Sequence, residues 1–88
     1  MSEYVDLMLY FSSPTCNPCR QTSPIIDKHI SEALETRIEK INIEDSFDLC
    51  VQFGVRSVPT VVCLNSHGEI INRMDGVSPS NLKKLLAI

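Results

Sequence analysis

Cys16 and Cys19 stand three positions apart in the segment Phe11-Ser12-Ser13-Pro14-Thr15-Cys16-Asn17-Pro18-Cys19-Arg20, directly after an apolar run and at the start of a helical pattern. That spacing lets the two sulfurs reach bonding distance across one helical turn. A helix N-terminus carries unpaired N–H groups and a partial positive charge, and both favour a thiolate over a thiol. Only the thiolate attacks disulfides, so the pattern suits thiol–disulfide exchange. Cys16, at the helix start and expected to be the more exposed, is the candidate attacking sulfur. Cys19, one turn inward, is the candidate resolving sulfur. Pro18 fixes the turn and removes an N–H where helices leave such groups unpaired. Arg20 adds positive charge nearby. No histidine separates the cysteines, so the expected behaviour is that of a reductant or mid-potential exchanger rather than a strong oxidant.

The competing chemistry is half of a zinc site, with Cys50 and Cys63 as the other half. Cys50 falls mid-helix and Cys63 mid-strand, whereas structural zinc cysteines come as close pairs on turns. Both read instead as small buried hydrophobes, with a regulatory thiol role open to Cys50 if it is exposed. No metal is expected. His29, at the edge of an apolar helical stripe, and His67, in a turn, read as boundary or surface residues. Phe47 and Phe53 read as the core of a short helix.

The chain has 88 residues, enough for one domain spanning 1–88 and no second. A formal net charge of -3 argues against a nucleic-acid groove and an anionic membrane surface. No apolar run approaches transmembrane length. The N-terminus has neither a basic n-region nor a following cleavage signal, so a cytoplasmic location is expected. Four cysteines in such a setting suggest redox or metal chemistry before a disulfide framework.

The elements that must position the cysteines follow from periodicity. Val5 to Phe11 is almost wholly apolar, as in a strand buried on both faces. From Cys19 the pattern is helical, with Ile26, Ile30, Ala33 and Leu34 on one stripe and an expected kink at Pro24. Arg37 to Ile43 alternates as a second strand. Asp45 or Ser46 can cap a short helix that Gly54 stops. Thr60 to Leu64 is a β-branched strand, Asn65 to Gly68 a hairpin turn, and Glu69 to Met74 the returning strand. Ser78 caps a last helix with Pro79 at its first position and Leu82, Leu85 and Leu86 facing inward. The order is β-α-β-α-β-β-α, with the first two strands parallel and the last two an antiparallel hairpin.

With these pieces in place the chain resembles the thioredoxin superfamily. The resemblance rests on the strand ending at Phe11, Cys16-Asn17-Pro18-Cys19-Arg20, Pro24, Lys40-Ile41-Asn42-Ile43, Phe53-Gly54-Val55-Arg56-Ser57-Val58-Pro59-Thr60, Gly68-Glu69-Ile70 and Gly76. It covers about Val5 to the end. It implies an α/β chain with a minimal thioredoxin fold, a four-stranded mixed sheet flanked by helices. It further implies a cis bond before Pro59 beside the cysteine pair, and a Val58 backbone that pairs with an extended substrate. The substrate rim would comprise Thr15, Asn17, Pro18, Val58, Pro59 and Gly76. The implied activity is reduction of disulfide-containing proteins, with no cofactor beyond a redox-active Cys16–Cys19 disulfide. Thioredoxin reductase or glutathione would be the electron donor, and the chain a monomer.

The chain also departs from that pattern. It lacks the opening strand and helix of full-length thioredoxins and is closer to the minimal core of glutaredoxins. Thr15 replaces the usual tryptophan before the first cysteine, and Asn17 the usual glycine. Tyr10 stands where the family has a buried aspartate under the second cysteine. Lys40, that aspartate's usual partner, is kept, and an approach of Lys40 to the Tyr10 hydroxyl is the expectation; Tyr10, Lys40 and Arg20 are thus the candidate tuning residues. A glutathione-dependent reductase is the close alternative, favoured by the short core. It is disfavoured by the Asn-Pro pair and by the missing Gly-Gly-Asp after the fourth strand. A redox-independent binding subunit of a larger complex, docking through Thr15, Val58 and Gly76, is the alternative from a different class.

Overall fold

The computed structural model describes residues 4–32 and 37–86. Seven elements follow in the order β1 (Leu7–Ser12), α1 (Cys19–Ser31), β2 (Arg37–Asn42), α2 (Phe47–Gln52), β3 (Thr60–Leu64), β4 (Ile70–Asp75) and α3 (Pro79–Leu86). The strands form one mixed sheet in the order β2-β1-β3-β4. β1 runs parallel to β2 and antiparallel to β3, and β3 and β4 form an antiparallel pair. The element order, the parallel first pair and the final hairpin are as expected. Strand ends differ by one or two residues: β1 runs Leu7–Ser12 rather than from Val5 to Phe11, β2 stops at Asn42, and β4 runs Ile70–Asp75. Ala33 and Leu34 lie outside the described residues.

The apolar run of β1 is divided by the pleat. Met8 and Tyr10 face one side with Ile26 of α1, Leu82 of α3, Val61 and Cys63. Leu9 and Phe11 face the other with Ile41, Val62, Leu49 and Cys50 of α2, and Phe53 at the C-cap of that helix. Full burial of each such apolar side chain contributes about 1.5–3 kcal/mol, so β1 is firmly anchored between the two halves of the core. The segment after Ser12 is therefore held at a fixed place at the C-terminal end of a central strand.

Helix ends follow their local chemistry. The Ser78 hydroxyl accepts the Asn81 N–H at 3.1 Å, with Pro79 opening α3 as expected. Ser46 occupies the N-cap position of α2 but its side chain makes no capping bond; Asp48 in the first turn complements the helix dipole instead. At the other end Gly54 adopts φ 62°. Its N–H bonds to the Val51 carbonyl at 3.2 Å and the Val55 N–H to the Cys50 carbonyl at 2.8 Å, a Schellman closure. Helix α1 continues through Pro24, which leaves the Arg20 carbonyl without its i+4 donor. In the β3–β4 turn, Asn65 Oδ1 accepts the N–H groups of His67 and Glu69 at 2.9 and 3.0 Å.

Three apolar-pattern expectations are corrected. Ile30, expected on the buried stripe of α1, is 43% exposed. Phe47 is 73% exposed and is not core, because α2 is too short to bury more than one face, and that face is taken by Leu49, Cys50 and Phe53. His29 is 5% exposed rather than at the boundary, and its Nδ1 is buried without a hydrogen-bond partner among the described residues.

Candidate redox site

The loop from β1 to α1 is shaped by its own polar groups. The Cys16 N–H donates to the Ser13 carbonyl at 3.2 Å, closing a turn with Pro14 at its second position. The Ser13 hydroxyl lies 3.0 Å from the Thr15 hydroxyl and donates to Glu44 at 3.4 Å. The first helical turn is tight: Cys19, Arg20 and Gln21 donate to the carbonyls three residues back, at 3.2, 3.0 and 3.1 Å. Cys16 and Cys19 are joined as a disulfide with Cα atoms 5.3 Å apart.

The two sulfurs differ in setting. Cys16 is half-buried, whereas Cys19 is 3% exposed. The Cys19 backbone N–H points at Cys16 Sγ, 3.2 Å away. In the reduced state that N–H and the helix N-terminus both favour a thiolate on Cys16. A cleft of about 210 Å³ beside the pair is lined by Ser13, Pro14, Cys16, Cys19, Arg20 and Ser23. Arg20 is the only ionisable side chain in that lining besides the cysteines, so the cleft is biased toward negative charge.

The sheet register brings the other candidates to the same end. Thr60 pairs with Phe11 on one side and Asp75 on the other. Pro59 and Gly76, each one residue beyond that row, therefore flank the loop that leaves β1. The Val58–Pro59 bond is cis, and the Pro59 carbonyl accepts the Val77 N–H at 2.9 Å. Thr15, Asn17, Pro18 and Gly76 are exposed and Val58 is half-buried, whereas the Pro59 ring is buried.

Lys40 does not join this group. Its ammonium pairs with Asp27 of α1 at 2.7 Å, on the exposed surface. The Tyr10 hydroxyl, fully buried, is instead held by Thr22 Oγ1 at 2.6 Å and Ser23 Oγ at 2.9 Å. The expected Lys40–Tyr10 approach is thus overturned: a charged ammonium gains more from an exposed carboxylate than from a buried phenol, and α1 supplies the phenol with hydroxyls. Thr22 and Ser23 did not emerge from the sequence. Their spacing of three and four residues from Cys19 on one helix was the available signal.

Cys63 and Cys50 lie on opposite faces of the sheet, one in each half of the core, so the four cysteines do not converge as a ligand set. Burial pushes the Cys63 thiol up from 9.0 to about 11. Cys50 is half-buried on α2.

The family model for thioredoxin matches residues 2–87. The thioredoxin of Porphyra purpurea is 35% identical over 77 residues, covering 85% of this chain and 70% of that protein. The SPbeta prophage-derived thioredoxin-like protein YosR of Bacillus subtilis is 29% identical over 79 residues, covering 90% of this chain and 92% of the other. Among solved structures, oxidised mitochondrial thioredoxin 3 of Saccharomyces cerevisiae superposes with a TM-score of 0.78 at 27% identity, over 92% of this chain and 76% of that one. Fasciola hepatica thioredoxin superposes with a TM-score of 0.83 at 20% identity, over 97% and 82%, a likeness of fold. The matched length takes in the cysteine pair and the cis-proline loop together, and the chain belongs to the thioredoxin family of thiol–disulfide oxidoreductases.

Proposed function

We propose that this protein reduces disulfides in protein substrates by dithiol exchange at Cys16 and Cys19. The observation that carries the reading is the asymmetry of the pair: one sulfur reachable and facing a backbone N–H, the other buried one turn inward. The Cys16 thiolate attacks one sulfur of the substrate disulfide. A Cys16–substrate disulfide forms, and the other substrate sulfur leaves and takes a proton. Cys19 then loses its proton and attacks Cys16 Sγ. The Cys16–Cys19 disulfide forms and the second substrate thiol departs, so the substrate gains two electrons and the protein loses two.

Substrate contact falls to Thr15, Asn17, Pro18, Val58 and Gly76, with the buried Pro59 setting the path of the Val58 backbone. The backbone N–H and C=O of Val58 bond to none of the described residues, which leaves them free for an extended peptide. Re-reduction needs a dithiol or thiol donor, thioredoxin reductase or glutathione. The protein acts as a monomer in the cytoplasm, where the free thiols of Cys50 and Cys63 persist.

Insulin reduction tests the reading, with thioredoxin reductase plus its nucleotide and, separately, glutathione as donor. Turnover that disappears in Cys16→Ser is expected. The donor that sustains it separates thioredoxin-type from glutaredoxin-type function. No turnover with any donor, dithiothreitol included, would overturn the reading and favour the redox-independent binding subunit.

A further inference from the structure

Three hydroxyls lie in a row beside the resolving cysteine, and their proton count is constrained. Thr22 Oγ1 donates to the Cys19 carbonyl at 3.4 Å. A hydroxyl has one proton to give, so the 2.6 Å contact between Tyr10 and Thr22 must then be donated by Tyr10. With its own proton committed, Tyr10 must accept the 2.9 Å bond from Ser23. The row runs Ser23 to Tyr10 to Thr22 to the Cys19 carbonyl. It leaves the lone pairs of Ser23 Oγ open at the end that lines the cleft shared with Cys16 and Cys19. Ser23 is also four residues after Cys19 on α1, hence on the same helix face.

The row can reverse at small cost. If Thr22 donates to Tyr10 and Tyr10 to Ser23, only the long Thr22–carbonyl bond is given up, and the Ser23 proton turns into the cleft. Tyr10 is fully buried and wedged between sheet and helix, so it holds both partners in place through either state.

We infer that, once the Cys16–Cys19 disulfide opens, Ser23 Oγ becomes the hydrogen-bond partner of the resolving sulfur, accepting from the Cys19 thiol and, on reversal of the row, donating to the Cys19 thiolate, with Tyr10 as the positioning residue. This rests on the dithiol reading above and names what eases its second step. In that step the Cys19 S–H bond breaks, the Cys19–Cys16 S–S bond forms and the Cys16–substrate S–S bond breaks. The proton lost from Cys19 passes through the water of the cleft to the departing substrate thiolate, so no outside acid, base or oxidant is required. The hydroxyl row contributes orientation and a charge-assisted bond, not a net proton.

The test reacts the reduced protein with a symmetrical aryl disulfide whose thiolate absorbs visible light. The first release reports attack by Cys16 and the second reports resolution by Cys19. Loss of the first phase in Cys16→Ser and of the second in Cys19→Ser checks the dithiol reading independently. In Ser23→Ala the first phase is unchanged, while the second slows about tenfold, the worth of one bond to a charged group, and its pH–rate midpoint moves to higher pH. Ser23→Thr restores both. Tyr10→Phe shifts the second phase in the same direction, and the double variant is no slower than Ser23→Ala alone. A second phase in Ser23→Ala that matches the parent in rate and pH midpoint would overturn the inference while leaving the dithiol chemistry intact.

Discussion

The guanidinium of Arg73, on β4, donates to the carbonyl of Gly54 at 2.9 Å, in the turn that ends α2. The same side chain also donates to the Phe53 carbonyl and, through Nε, to Asp75 at 3.1 Å. One residue thus ties the end of α2 to the strand edge on which Gly76 follows. Between these anchors runs the segment 55–59, which carries Val58 and the cis proline.

Arg73→Ala is expected to cost about 1–3 kcal/mol in urea unfolding, because it strips charge-assisted bonds from helix-end carbonyls. Amide exchange at Val55 should accelerate more than exchange in β1. Equal acceleration across the sheet would mean that Arg73 acts on global stability alone.

The Lys40–Asp27 pair is exposed on both sides. Lys40→Met should change unfolding free energy by less than about 1 kcal/mol. It should leave both phases of the aryl-disulfide reaction untouched. A slowed second phase would restore Lys40 to the redox machinery.

Cys63 supplies a pH prediction. Its thiol titrates at 9.0 when exposed and at about 11 in the fold. Above 9.0 the unfolded chain releases a proton that the folded chain keeps, so stability falls as pH rises through the window up to about 11. The full effect is on the order of 2 kcal/mol, and Cys63→Val should remove it from the alkaline limb of the stability–pH curve. In native protein at mildly alkaline pH, iodoacetamide should label half-buried Cys50 well before Cys63, read by peptide mass.

His29 is buried, and its Nδ1 has no partner among the described residues. Such an atom carries a desolvation cost with no return, so His29→Leu should leave stability unchanged or raise it by up to about 1 kcal/mol. Thermal unfolding measures it, and a clear loss would show that the imidazole is needed for packing.

The order of elements, the parallel first pair, the final hairpin and the place of the cysteines were legible because each rests on local pattern and connection, whereas the antiparallel β1–β3 pairing joins strands far apart in the chain and was not. β1 is apolar throughout, Thr60 to Leu64 is β-branched, and Ser78-Pro79 and Gly54 mark helix ends. The partners of Tyr10 were not legible, since they depend on which turn of α1 lies over β1. Lys40 met Asp27 for the same reason: side chains from two elements compete for one another only once the layers are stacked. Phe47 misled because a six-residue helix shows too little periodicity to separate its buried face from its exposed one. His29 misled because composition assigns histidine to the boundary, while its position three residues after Ile26 places it on the buried stripe.

The central claim is that Cys16 attacks and Cys19 resolves. It is tested most directly by mixing reduced Cys19→Ser and reduced Cys16→Ser, each with a disulfide-bonded peptide, and weighing the intact products. Cys19→Ser should accumulate a covalent adduct of protein plus one peptide half that dithiothreitol releases, and Cys16→Ser should accumulate little. Adduct on Cys16→Ser in equal yield, or on neither variant, would contradict the account.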